Sequence, residues 1–214
     1  MKKLVVCFLL FVFSTLCFAN KSIISASIGL ATGFPVYGSE QMKQVNDYYF
    51  ENGTRIIVGT SARLELNAMN PFVLFADADL NMDFNFSEQN FFHTMDLAFT
   101  GGMKFYPGLD GFAFGIGYSI GRRFDFYNEL TPVFSEVKSA TEVESSTESD
   151  ADGSVLESDF DKNDWGNGFK LFVEYDFSYN SHRFLPTLGV SWRLMPRGNN
   201  LYDNIFAFYL MMNF

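Results

Sequence analysis

The chain has 214 residues, 27 of them Phe and 17 Gly, and a formal net charge of −10. That acidic balance excludes a surface built for nucleic-acid phosphates, which needs clustered Lys and Arg. The length bounds one ordinary domain, and heavy use of Phe and Gly favours strands over helices.

The first element reads as a secretory signal over residues 1–19. Lys2 and Lys3 give a basic start, Leu4 to Phe18 an apolar run, and Cys17-Phe18-Ala19 a small-x-small cleavage site before Asn20. The run is short for the roughly 20 residues of a membrane helix. A lipoprotein reading through Cys17 meets bulky Leu16 where a small residue is wanted. Both cysteines, Cys7 and Cys17, leave with this segment, so the mature chain is expected to hold no disulfide.

From residue 20 onward, period-two alternation predicts eight strands, each with its apolar residues on one parity. Strand 1 spans about Ser22 to Thr32, with Ile24, Ala26, Ile28 and Leu30 on one face. Strand 2, about Arg55 to Ala68, sets Ile56, Val58, Leu64 and Leu66 against Ser61, Arg63 and Glu65. Strand 3, Phe72 to Phe86, opposes Phe72, Leu74, Leu80, Met82, Phe84 and Phe86 to Val73, Phe75, Asp77, Asp79 and Asp83. Strand 4, about Thr94 to Tyr106, opposes Met95, Leu97, Phe99 and Met103 to Asp96, Thr100 and Lys104. Strand 5, about Phe112 to Phe126, opposes Phe114, Ile116, Tyr118 and Ile120 to Gly115, Gly117, Ser119, Arg123 and Asp125.

Strand 6, about Gly168 to Tyr179, carries Phe169, Leu171, Val173 and Tyr175 opposite Lys170, Phe172, Glu174 and Asp176. Strand 7, about Arg183 to Met195, carries Leu188, Val190, Trp192 and Leu194 opposite Thr187, Ser191 and Arg193. Pro186 lies on its apolar parity and costs a ladder bond, which predicts an irregularity there. Strand 8, Asn204 to Phe214, presents Phe206, Phe208, Leu210, Met212 and Phe214 as an unbroken apolar face.

Short turns (Met69 to Pro71, Pro107 to Gly111, Asn180 to His182) alternate with loops at Pro35 to Gly53, Ser87 to His93, Tyr127 to Asn167 and Pro196 to Asp203. That asymmetry, with an even strand number, is the layout of an outer-membrane barrel and puts both termini on the short-turn, periplasmic side. A soluble lipocalin-type barrel would turn its apolar face inward. An eight-stranded interior only just accommodates side chains, and the large residues of this apolar face overfill it. The expected fold is therefore all-β: an eight-stranded antiparallel up-and-down transmembrane β-barrel over residues 20–214. Aromatic girdles are expected at Phe84, Phe86, Phe124, Phe126 and Trp165 on the loop side, and at Phe72, Phe105, Phe112, Tyr179 and Phe184 on the turn side.

The final strand resembles the assembly signal of bacterial outer-membrane barrels, with Phe206, Phe208, Leu210, Met212 and Phe214 as the matching positions; Tyr often stands where this chain has Phe206. Across residues 20–214 the layout resembles the small eight-stranded OmpX and OmpA-barrel proteins and is similar to the OmpW type. The resemblance implies an outer-membrane location, with outer-membrane lipid and the barrel assembly machinery as partners; no enzyme activity or cofactor is expected.

Charges on the polar parity are expected in the lumen: Arg63, Glu65, Asp77, Asp79, Asp83, Asp96, Lys104, Arg123, Asp125, Lys170, Glu174, Asp176 and Arg193. Unpaired charge is costly in a low-dielectric interior, so these should pair into a plug. The alternative is a narrow path, cation-preferring because acids outnumber bases in this set. Inward Val73, Phe75, Phe172 and Leu185 would suit an OmpW-like passage for small or hydrophobic solutes.

The acidic loop over 127–167 reads as solvated and open to host or environmental ligands. Within it, Glu148, Asp150, Asp152, Gly153 and Asp159 approximate a calcium-loop spacing, with Glu for Asp at the first position and Asp for Glu at the twelfth. A plain acidic loop explains the same residues. Only His93 and His182 offer an imidazole for rim catalysis, His93 near Ser87 and Glu88, and two separated histidines make no zinc site. Asn52-Gly53-Thr54 fits a glycosylation sequon and reads as a turn. The leading expectation is a non-enzymatic surface protein acting through its loops, in adhesion, surface interaction or a structural role.

Overall fold

The eight alternating segments close into one antiparallel barrel with neighbours in chain order. The computed structural model describes residues 24–69, 71–88, 91–108, 110–127, 165–179, 185–197 and 202–214. The strands are β1 (Ile24–Val36), β2 (Thr54–Met69), β3 (Phe72–Phe86), β4 (Phe91–Phe105), β5 (Phe112–Tyr127), β6 (Gly166–Asp176), β7 (Pro186–Pro196) and β8 (Tyr202–Asn213). A helix, α1 (Glu40–Asn52), interrupts the connection from β1 to β2.

Register fixes which side chains face out, because a slip of one residue would exchange the faces. β3 and β4 pair without a break from Phe72↔Phe105 to Phe86↔Phe91. The seam pairs β1 with β8, Ile28 opposite Met212 and Phe34 opposite Phe206. It ends in reciprocal backbone bonds between Ala26 and Phe214, at 2.8 and 3.4 Å, so the sheet has no free edge at this point. Ile24 and Phe214 therefore sit on the same side as the three short turns. At one of those turns Gly111 adopts φ +83°, and its carbonyl accepts the Asp176 N–H at 2.7 Å. A Cβ at Gly111 would fall 2.4 Å from the Asp176 carbonyl oxygen, so only Gly serves there.

The apolar parity faces outward. Leu30, Phe208, Tyr118, Ile116 and Leu64 are all more than half exposed, and Phe206, Leu210 and Met212 lie on the same wall. Exposed Phe86, Phe126 and Trp165 occupy the loop-side rim, with Phe72, Phe105 and Tyr179 at the turn-side rim. Phe84, Phe112 and Phe124 share these rings but are half-buried, and Phe184 lies outside the described residues. An apolar exterior around a charged interior is the reverse of a lipocalin and suits a hydrocarbon solvent.

Four expectations are corrected by the geometry. The connection Pro35 to Gly53 is largely helical, because Met42, Val45 and Tyr49 form an apolar stripe that finds cover on the barrel. β4 begins at Phe91, which places His93 in a strand. β6 stops at Asp176, with Phe177 to Tyr179 in the following turn. Pro186 produces no irregularity, because β7 starts on it and a first residue can lack its ladder N–H. The signal segment, Asn180 to Phe184 and most of the acidic loop lie outside the described residues, as does its calcium-like spacing.

Candidate functional site: a filled lumen under a helical cap

The inward parity carries one continuous run of ion pairs along the barrel. At the turn side, Lys104 Nζ donates to Glu65 Oε1 at 2.6 Å and to Glu174 Oε1 at 2.8 Å. Arg63 bridges onward, from Nη1 to Glu174 Oε2 at 2.6 Å and from Nε to Asp77 Oδ1 at 2.6 Å. Lys170 then joins Asp77 and Asp79 at 2.9 and 2.7 Å. Arg193 links Asp79, at 3.5 Å, to Asp96. Arg197 joins Asp96 to Asp203, and Arg123 carries the run from Asp203 at 2.8 Å to Asp125 at 2.9 Å. These links pass through the whole series β2, β4, β6, β3, β7, β5 and β8, so the charges tie the walls to one another across the interior.

Eleven of the thirteen charges expected in the lumen join this run. Asp83 instead takes two bonds from Arg55, at 2.9 and 2.7 Å, and one from Tyr37 Oη at 3.2 Å. Asp176 accepts from Tyr106, Ser178 and Asn213 near the turn side. Sequence reasoning missed Arg55, Arg197 and Asp203. All three continue the inward parity of β2, β7 and β8, past the points where the apolar alternation weakens. With Arg197 and Asp203 included, seven acids face six bases in the run, so the acidic excess nearly cancels.

Aromatic packing fills what the charges leave. Phe75 and Phe172 meet edge to face at 5.1 Å between centroids, and the Arg63 guanidinium lies 4.5 Å from the Phe172 centroid. Tyr209 donates to Glu174 at 2.6 Å from the same cluster. These rings fit because small residues face them: a Cβ at Gly115 would sit 2.0 Å from Phe172 Cζ. The inward apolar residues thus pack on one another and on Arg63. Leu185 is half-buried and Val73 packs with Tyr106 and Ala113 at the turn side. A cavity of about 20 Å³ among Ser61, Arg63, Asp79, Asn81, Lys170 and Arg193 has room for about one water molecule.

The loop-side end is closed separately. Met42, Val45 and Tyr49 of α1 pack on Tyr37 and Phe92, all five buried. Tyr37 and Phe92 are on inward parity, so the helix rests on residues rising from the lumen. Tyr37 Oη lies 2.7 Å from Thr94 Oγ1, which fixes that contact to the β4 wall. Beside this face, Phe50 is 81% exposed.

His93 points outward, its ring 4.7 to 5.2 Å from those of Phe84, Phe86 and Phe91. Its surroundings among the described residues are these aromatic rings, and His182 lies outside the described residues. Among the described residues no group of His, Cys, Asp and Glu is placed to hold a metal ion.

No family model and no curated protein matches the sequence. Among solved structures, Neisserial surface protein A is similar at 9% identity over 92% of this chain and 100% of its own, with a TM-score of 0.49. Ail, the attachment invasion locus protein of Yersinia pestis, in complex with the heparin analogue sucrose octasulfate, gives 10% identity over 89% of this chain and 97% of its own, at 0.46. The outer membrane protein OprG of Pseudomonas aeruginosa gives 8% identity over 89% and 95%, at 0.41. The barrel assignment itself rests on the strand pairing and closure of this chain.

Proposed function

We propose that this chain is an outer-membrane β-barrel that acts as a non-catalytic surface protein, with its lumen closed to solutes. The observation that carries the reading is the unbroken run from Glu65 to Asp125, together with the packing of Phe75, Phe172 and Tyr209 around Arg63 across the interior. The apolar outer wall supports insertion in a bilayer. In this reading the signal is removed near Ala19, and the termini and short turns face the periplasm. The β8 face from Phe206 to Phe214 is the segment engaged by the assembly machinery. In this reading contact with host or environmental ligands falls to α1 and to the acidic stretch of sequence 127–167.

Planar-bilayer recording of the refolded full chain tests the closed lumen. The expected result is no unitary conductance in molar KCl. Steady channels that pass small ions would overturn it. Ion selectivity would then decide between the cation-preferring path and an OmpW-like route.

A further inference from the structure

Parity places one charged residue where lipid should be. The outward positions of all eight strands are apolar, aromatic or small and polar, except for Arg122 and the imidazole of His93. Arg122 pairs with outward Leu97 on β4, while its neighbour Arg123 points into the lumen and bonds Asp125 and Asp203. The ladder between β5 and β6 ends at Gly121↔Gly166, so Arg122 is the first β5 residue beyond it.

Its height is set by the strand. Arg122 lies ten residues beyond Phe112, the turn-side outward residue of β5. At about 3.4 Å per residue and a tilt of roughly 40°, that is about 26 Å along the membrane normal, near the full height of a ~25 Å apolar band. The guanidinium thus reaches the headgroup level of the loop-side leaflet.

Its bonding is incomplete. Among the described residues Arg122 has no carboxylate partner; its Nε is buried without a hydrogen-bond acceptor, and its guanidinium carbon lies 4.9 Å from the Phe124 centroid. Arg122 as a whole is half-buried, and on an apolar wall an anion would satisfy both its charge and its unpaired Nε. At that level the chemistry that matches a planar guanidinium is a phosphate, which it binds with two parallel N–H donors.

We infer that Arg122, backed by Phe124, is a binding site for the phosphate of an anionic lipid headgroup in the loop-side leaflet. This rests on the bilayer placement proposed above. Trp165 supplies a reporter: the register Ile120↔Asn167 and Gly121↔Gly166 brings it opposite Arg122, and it is half exposed. The chain has only two tryptophans, so Trp192→Phe leaves Trp165 as the single fluorophore.

The experiment refolds this full-chain variant into phosphatidylcholine vesicles and measures Trp165 quenching by brominated phosphatidylcholine or brominated phosphatidylglycerol. Brominated phosphatidylglycerol is expected to bind beside Trp165 about three- to tenfold more strongly. Arg122→Gln should bring the ratio to one, and Arg122→Lys should retain most of the preference. Inorganic phosphate in the buffer should leave it unchanged. Equal quenching by the two lipids in the parent, an undiminished preference in Arg122→Gln, or competition by inorganic phosphate would overturn the headgroup site while leaving the barrel in the bilayer. No quenching by either lipid would overturn the bilayer placement, and the site with it.

Discussion

Arg63→Met removes the central cation of the lumen, and the structure sets the size of the expected loss. Arg63 is 2% exposed, bonds Asp77 twice, at 2.6 and 3.2 Å, and bonds Glu174 at 2.6 Å. Breaking a buried ion pair on one side costs about 3–5 kcal/mol, because the remaining charge is left uncompensated. Asp77 would keep Lys170 at 2.9 Å, and Glu174 would keep Lys104 at 2.8 Å, so neither acid is orphaned. The loss should therefore fall near the low end, about 3 kcal/mol, or over a hundredfold in the folding equilibrium. Glu174→Gln in the same chain removes the surplus acid while keeping its shape, and Lys104 retains Glu65 at 2.6 Å. The double variant should regain about 1–3 kcal/mol relative to the sum of the single changes. Reversible urea unfolding in phosphatidylcholine vesicles, followed by tryptophan fluorescence, measures all four species. A loss below about 1 kcal/mol with no coupling would mean water screens these charges. That result would refute the dry, closed lumen as well as the stability argument.

Three further perturbations separate wall, packing and cap. Phe208 is 60% exposed halfway along β8, so Phe208→Arg should cost about 2–4 kcal/mol in the same vesicle titration; a neutral result would place this face outside the hydrocarbon. Gly115→Ala drives a methyl into the Phe172 ring beneath Arg63 and should cost about 1–3 kcal/mol. Gly101→Ala, with nothing within 4 Å of its new Cβ, should change stability little; equal effects would contradict the packing. Val45→Asp puts a charge into the buried α1 cluster and should abolish amide-exchange protection over 40–52 while leaving the barrel's urea midpoint in place. A matching fall in that midpoint would show that the cap and barrel unfold together.

The barrel was legible because one rule, alternation, runs through every strand and names both faces at once. β3 shows this best: its boundaries, Phe72 and Phe86, coincide with the ends of its apolar parity, and its odd positions carry three of the acids in the lumen. Where the rule weakens, sequence reasoning stops short. Arg197 and Asp203 flank a connection rich in Gly and Asn, so they read as loop, yet both side chains still follow inward parity. The helix was missed for a different reason. Its mean composition is polar, and three apolar residues at Met42, Val45 and Tyr49 need the barrel's end as a partner before they specify anything. Strand periodicity speaks of a residue's neighbours in the wall. It cannot speak of what lies across the lumen, and the pairing of Arg63 with Glu174, 111 residues apart, is a property of closure.

Arg122 and Arg123 put the same argument at its smallest scale. The two residues have identical chemistry and adjacent positions, and the pleat sends them into opposite solvents. Arg123 meets two carboxylates, at 2.9 and 2.8 Å, in an interior that supplies its own counter-charges. Arg122 stands on a wall that supplies a ring and no acid among the described residues. Exchange of roles by a one-residue slip of β5 would put Phe124 and Phe126 into a loop-side interior already filled by Tyr37 and Phe92, and Arg123 and Asp125 onto the apolar wall. Register is thus held from both sides, by the volume the interior lacks and by the anions missing from the exterior among the described residues. Among the described residues the counter-ion of Arg122 is not supplied by the wall, and the lipid-phosphate site proposed above assigns it to the headgroups at that height along β5.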